Sequence, residues 1–141
     1  MAELVQGVIM IFREIVVVET DGGMHVQDVT ERITKIVGAC HIKEGLCNIF
    51  LPATTAGLMV NEHDRMLMED FKRFFKTIEE KRLYAHPSNA FSHLRANLLS
   101  CERTIPISNG KLILGTWQRI ILWEFDREPR KRDIIVTISG H

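Results

Sequence analysis

Lysine plus arginine and aspartate plus glutamate number 18 each in the 141 residues, so the chain has no net charge. No bulk field draws it to nucleic acid or to a membrane surface, and neither is expected as a partner. No hydrophobic run approaches the ~20 residues of a membrane span, and the opening MAELVQGVIMIF lacks the basic start and long apolar stretch of a secretion signal. Cysteine is scarce: Cys40, Cys47 and Cys101 are odd in number, widely spaced and set among apolar neighbours. That argues against a disulfide framework or a zinc spacing and for reduced core thiols in a cytoplasmic protein. The sequence has no phosphate-binding glycine loop, no dinucleotide glycine pattern, no serine or cysteine nucleophile motif, and no repeat or linker. What is present is 45% hydrophobic and 26% charged residues in a chain long enough for a hydrophobic core. A single domain over 1–141 is expected.

Periodicity outlines the elements. Residues 8–19, rich in β-branched and aromatic side chains, predict a strand, and Asp21-Gly22-Gly23 a turn into a hairpin partner around MHVQDV. Thr30 is expected to cap a helix whose apolar stripe is Ile33, Ile36, Val37 and Cys40. GLCNIFLPA and AGLMVNE predict two more strands, close enough in sequence for a second hairpin. Asp64 suits the N-cap of a helix with Leu67, Phe71, Phe74, Phe75 and Ile78 on one face. Pro87-Ser88-Asn89 opens a shorter helix with Phe91, Leu94 and Leu98 on one side and Asn89, His93 and Asn97 on the other. Asn109-Gly110 is a type I′ turn dipeptide, predicting Ile107 opposite Leu112 and Ile105 opposite Leu114. Pro106 has no N–H to donate, which predicts an edge or a bulge there. With QRIILWEF and DIIVTI, residues 104–138 are expected as an antiparallel meander. Strands grouped in pairs predict a mostly antiparallel α+β domain.

Four constellations could carry chemistry. Thr54, Thr55, Asn61 and Glu62 interrupt an apolar stretch; they either form a turn and lead into a helix cap or line a polar pocket, where Glu62 could act as base or metal ligand. His86 and His93, with Asn89, could hold a divalent metal or a phosphate, although their spacing matches no zinc signature. Trp117 reads as core or interface, and Gln118 either presents its amide to a ligand or faces solvent. Arg127, Arg130, Lys131 and Arg132 form either a solvated hairpin tip or a phosphate clamp.

These segments together resemble the YjbQ family along nearly the whole chain. The resemblance rests on FLPATTAGLMVNE, on the H…NAFSHLRANLLS segment and above all on TIPISNGKLILGTWQRIILWEFD with the PRKR turn after it. It implies a β2-α-β2-α-β3 two-sheet sandwich, homotrimers, and a polar cleft lined by the Thr-Thr turn, the Asn-Glu pair, His86 and His93. It also implies secondary thiamine-phosphate synthase activity, the coupling of a pyrimidine pyrophosphate to a thiazole phosphate. Within that picture Glu62, His86 and His93 are the catalytic and metal-binding residues, for Mg²⁺ or Zn²⁺. Thr54, Thr55, Asn61, Asn89, Gln118, Arg130 and Arg132 contact the phosphorylated substrate. The chain departs from the family pattern at Ala53, where relatives carry histidine, and at Phe91-Ser92, near a usual acidic residue. A trimeric protein that only binds a metabolite, anion or metal in a degenerate cleft is the alternative.

Overall fold

The computed structural model describes residues 7–141. Part of the N-terminal segment weighed above as a leader, residues 1–6, lies outside the described residues. The elements are β1 (Met10–Thr20), β2 (His25–Asp28), α1 (Thr30–Ala39), β3 (Gly45–Phe50), β4 (Ala56–Asn61), α2 (Arg65–Lys76), α3 (Ala90–Leu98), β5 (Glu102–Ser108), β6 (Lys111–Leu112), β7 (Arg119–Glu124) and β8 (Arg130–Gly140). They form two antiparallel sheets, of order β1-β8-β3-β5-β6 and β2-β7-β4. The expected α+β class and two-sheet arrangement are therefore what the chain adopts.

The main core lies between the sheets. Val16, Val18, Cys47, Ile49, Ile105, Ile107, Ile134, Val136 and Ile138 point inward from the large sheet onto Leu58, Ile120 and Leu122 of the small one. Ile33, Ile36 and Val37 of α1 join this cluster, as the helical spacing predicts. The other face of the small sheet carries Met59, Ile121 and Trp123, which are covered by Met68 and Phe75 of α2 and Ala96 of α3. The small sheet is thus buried on both faces, and β7 reads as a continuous apolar run for that reason. Among the described residues no helix covers the outer face of the large sheet.

Three expected hairpins are instead corners between the sheets. β1 pairs with β8 while β2 pairs with β7; β3 joins the large sheet while β4 joins the small one; and β7 and β8 also separate. The 104–138 meander accordingly reduces to its first turn. There Asn109 and Gly110 both have positive φ, 51° and 74°, and Ile107 pairs with Leu112 as predicted. β6 ends at Leu112, so Ile105 finds no ladder partner in Leu114. Pro106 turns its carbonyl outward to accept from Ile113 N, so its missing N–H also faces the outer side of β5.

Local readings shift in similar ways. Asp64 caps α2 by accepting from Leu67 N at 2.9 Å. At α1, Asp28 Oδ1 accepts from both the N–H and the hydroxyl of Thr30, whose oxygen in turn accepts from Ile120 N, so Thr30 ties the helix to β7 rather than capping it. On α3 the buried face is Phe91, Ser92, Arg95 and Ala96, while Leu94 and Leu98 are 47% and 51% exposed. Arg95 can be buried because its guanidinium donates to the carbonyls of Phe75 and Ile78 at the end of α2 and lies over the Phe91 ring. Phe74 on α2 and Trp117 are exposed, so the expectation of Trp117 as core does not hold. Cys101 is also exposed, unlike Cys47, and is not a core thiol. Among the described residues no helix is long and apolar enough to cross a membrane.

Candidate functional site

Gly57 sets how closely α3 approaches β4. A Cβ there would lie 2.8 Å from Leu99 Cβ and 3.3 Å from Ala96 O, so only glycine lets the strand and helix meet. The contact is fastened by Leu58 N donating to Ser100 O at 2.7 Å. The Leu51–Thr55 corner has to pass beside α3, because β3 and β4 belong to different sheets. Between them opens a cavity of about 440 Å³, lined by Ala53, Thr54, His93, Asn97, Ser100 and Cys101 among others.

His93 also lines a neighbouring hollow with Tyr84, His86 and Leu94. The His86 and His93 rings stand edge to face with centroids 5.2 Å apart. His86 Nε2 is 2.9 Å from Asn89 Oδ1, so the amide at the start of α3 fixes the orientation of that ring. The structure therefore brings His86, His93, Asn89, Thr54 and Ala53 together at one end of β4.

Glu62 is not with them. It follows the last residue of β4 and lines a separate cavity with Asp28, His63, Asp64, Trp117 and Arg119. About six residue steps separate it from Ala56 at the histidine end, roughly 20 Å along an extended strand. Asn61 is at the same far end, and its Oδ1 accepts from Glu62 N. Gln118 Oε1 accepts from Gly115 N at 2.7 Å and closes its own loop. The set His86, His93 and Glu62 is therefore not assembled within one chain. Among the described residues no group of three or more histidine, cysteine or carboxylate side chains is placed to hold a metal ion. Two imidazoles alone do not fit the divalent centre that the resemblance implies.

The basic turn is engaged in ion pairs. Arg132 donates from Nε and Nη2 to both oxygens of Glu124, at 2.9 and 2.6 Å, and from Nη2 to Thr55 Oγ1 at 2.8 Å. Glu124 is fully buried and also accepts from Thr20 Oγ1, so this pair joins the middle of the small sheet to β8. Thr55 is buried in the same network and is absent from the cavity wall. Arg130 pairs with Asp126 at 3.0 Å. Burial works against ionisation of Asp126, but hydrogen bonds from Glu128 N and Arg130 and the charges of Arg130 and Arg132 hold its pKa below the usual carboxylate range.

At the far end, Asp28 is shifted in the same direction. Burial opposes its ionisation, and hydrogen bonds from Thr30 and Arg119 together with the Arg119 charge outweigh it. Arg119 also reaches Glu31 at 2.8 Å. Neither the Asp28–Arg119 pair nor the Ser100 and Cys101 wall of the α3 cavity was anticipated. Each depends on which strands become neighbours, and no local spacing carries that information.

A domain of two antiparallel sheets, with helices over the smaller one and a histidine-lined cavity at one end of β4, is a recognisable class of α+β protein. The chain matches the family described as UPF0047 protein YjbQ-like over residues 14–141. It is 35% identical over 135 residues to a UPF0047 protein of Synechocystis, covering 91% of each chain, and 41% identical over 113 residues to one from Archaeoglobus fulgidus, covering 77% of this chain and 86% of that one. The fold superposes on a YbjQ-like protein of unknown function from Sulfolobus solfataricus P2 with TM-score 0.90 and 37% identity, covering 94% of this chain and 99% of that one. The chain belongs to the YjbQ family.

Proposed function

We propose that the chain binds a phosphorylated small molecule in the α3 cavity, with the His86–His93 pair as its principal polar contact and a homotrimer as the assembled form. The carrying observation is the edge-to-face imidazole pair, 5.2 Å between centroids, whose His93 member shares a cavity wall with Thr54, Asn97 and Ser100. Imidazole, amide and hydroxyl groups are donors to phosphate oxygens, and this wall supplies all three. Arg130 and Arg132 give the anion no free charge, since Asp126 and Glu124 already match them. Their part in the proposal is to hold the corner that shapes the cavity. Odd, unpaired thiols favour the cytoplasm as its location.

Calorimetric titration with pyrophosphate tests this reading. Binding should be measurable for the wild type and at least about tenfold weaker for His93→Ala at equal thermal stability, the loss expected for one charge-assisted contact. Absence of binding, or binding indifferent to His93, would overturn it.

A second reading, transfer of the secondary thiamine-phosphate synthase type, is the one that the sequence resemblance implies. Pyrophosphate would then leave as a thiazole nitrogen attacks, and the leaving anion would need stabilisation. Of the expected catalytic set this reading would use His86 and His93, which border the cavity and the hollow beside it. Product formation from the two phosphorylated halves, lost in His93→Ala, would establish this reading; turnover unaffected by that change would dismiss it. Zn²⁺ titration of Ala53→His adds a check on the cavity itself. The new imidazole would share the wall with His93 and should tighten binding by about an order of magnitude.

A further inference from the structure

Arg130 and Arg132 pair with Asp126 and Glu124 beside them, whereas Arg127 of the same basic turn reaches across to the segment between α2 and α3. That segment, residues 77–89, carries His86 and has little of its own to hold it in place. From Glu79 to Ser88 every residue but Tyr84 is exposed, Leu83 almost completely. The Tyr84 hydroxyl donates to the Glu79 carbonyl and His86 meets Asn89, which are contacts inside the segment.

Arg127 supplies the outside attachment. Its Nε donates to Glu80 Oε1 at 2.6 Å and its Nη1 to the Ser88 carbonyl at 2.8 Å. Glu80 precedes His86 and Ser88 follows it, so one planar guanidinium ties down both ends of the histidine's loop. Among the described residues, these two are the hydrogen bonds that join 79–88 to a distant element. The same guanidinium lies 4.5 Å from the centre of the buried Phe91 ring, in the first turn of α3 shortly before His93.

The arm is aimed by its own backbone. Gly23 N donates to Asp126 O at 2.6 Å, and Asp126 Oδ1 accepts from Glu128 N at 3.1 Å. Gly22 backs the Arg127 carbonyl so closely that a Cβ there would lie 2.6 Å from its oxygen, and its φ of +84° also calls for glycine. The corner between β1 and β2 thus fixes the turn from which Arg127 extends.

We propose that Arg127 is the positioning residue of the histidine pair: it sets His86 against His93, and acts on anion binding through His86 without touching the anion. Asn89 orients the His86 ring, but the 5.2 Å approach of the two rings also needs the segment itself to be held. Charge is not the reason for the contact, since Glu80 already matches the guanidinium. The inference rests on the anion site proposed above and adds what keeps that site in shape.

Calorimetric titration with pyrophosphate tests it through a double-mutant cycle. Arg127→Ala and His86→Ala should each weaken binding about tenfold, and the double variant no more than either, because the first displaces what the second removes. Arg127→Lys should bind as weakly as Arg127→Ala. An ammonium keeps the charge but lacks the fork that joins Glu80 to Ser88. The Glu80 pair is half exposed and contributes little to stability, so these variants should melt within a few degrees of wild type. Proton NMR of the imidazole rings gives a readout that needs no ligand. The His86 and His93 signals, identified by their loss in His86→Ala and His93→Ala, should both move in Arg127→Ala as the rings separate. Full affinity in Arg127→Ala or Arg127→Lys, or losses that add in the double variant, would overturn the proposal. Ring signals unmoved in Arg127→Ala would do the same. A wild type that binds no pyrophosphate, with ring signals that shift as expected, would dismiss the anion site and keep Arg127 as the holder of the pair.

Discussion

Replacing Arg132 by methionine separates a structural role from a phosphate-binding one. The substitution keeps much of the side-chain volume and removes the charge. Glu124, fully buried, would lose the Nε and Nη2 bonds to its two oxygens and keep only the Thr20 hydroxyl at 2.8 Å. Thr55 Oγ1 would also lose its donor. Removing one partner of a buried pair costs about 3–5 kcal/mol, because the remaining charge stays desolvated. For a chain of this size that lowers the melting temperature by ~10–20 °C. The double change Glu124→Gln with Arg132→Met leaves no orphaned charge and should recover most of the loss. Urea unfolding followed by circular dichroism measures both variants. An Arg132→Met protein less than about 1 kcal/mol below wild type, yet unable to bind pyrophosphate, would refute the structural assignment and restore the phosphate clamp.

Burial pushes the Cys47 thiol up to about 12, with Cys40 nearby adding to the effect, whereas Cys101 is exposed. A thiol reagent at neutral pH should therefore label Cys101 readily and Cys47 only after unfolding; mass spectrometry of the labelled peptides decides the order. Gly57→Ala should cost about 1–3 kcal/mol, since its Cβ would meet Leu99 Cβ at 2.8 Å and the helix must yield; an unchanged urea midpoint would contradict the close approach. Asp28 has a folded pKa below its unfolded value, so its stabilising contribution is full above the unfolded value near ~3.9 and fades as pH falls through the folded one. Asp28→Asn should lower stability at neutral pH and flatten the acid limb of the stability profile. An acid limb identical to wild type would show that Asp28 is not the group responsible.

The strand segments were legible, and on β5 the shared face of Ile105 and Ile107 that the Asn109-Gly110 turn predicts is the buried one. The partner of each strand was not legible. A connection such as Leu51–Thr55 can close a hairpin or turn a corner, and only the preference of β4 for β7 decides between them. Asn109-Gly110 was the exception, since two consecutive positive φ values admit one tight hairpin. On α3 the apolar pattern misled by one position. Leu94 and Leu98 looked like core, but the carbonyls of Phe75 and Ile78 draw Arg95 inward and rotate the leucines out. That requirement belongs to the end of α2 and leaves no mark in the α3 sequence.

The same reasoning explains why only some of the expected cleft residues come together. His86, His93 and Asn89 lie within eight residues of one another, so local geometry alone could bring them together, and it does. Thr54 and Ala53 join them because the corner between the sheets runs past α3. Glu62 seemed to belong because it is near Thr54 in sequence, but β4 is a straight strand with those residues beyond opposite ends. An extended chain of six residues separates what a helix or a tight turn would have joined. In one chain the imidazoles and Glu62 are thus two separate sites. The first has a cavity and imidazole, amide and hydroxyl donors for an anion. The second has Glu62 and Asp64 beside an exposed Trp117, with Asp28 already committed to Arg119. Substitutions at Glu62 should accordingly leave pyrophosphate binding by the isolated chain unchanged, and any effect they have in the assembled protein must pass through a neighbouring copy.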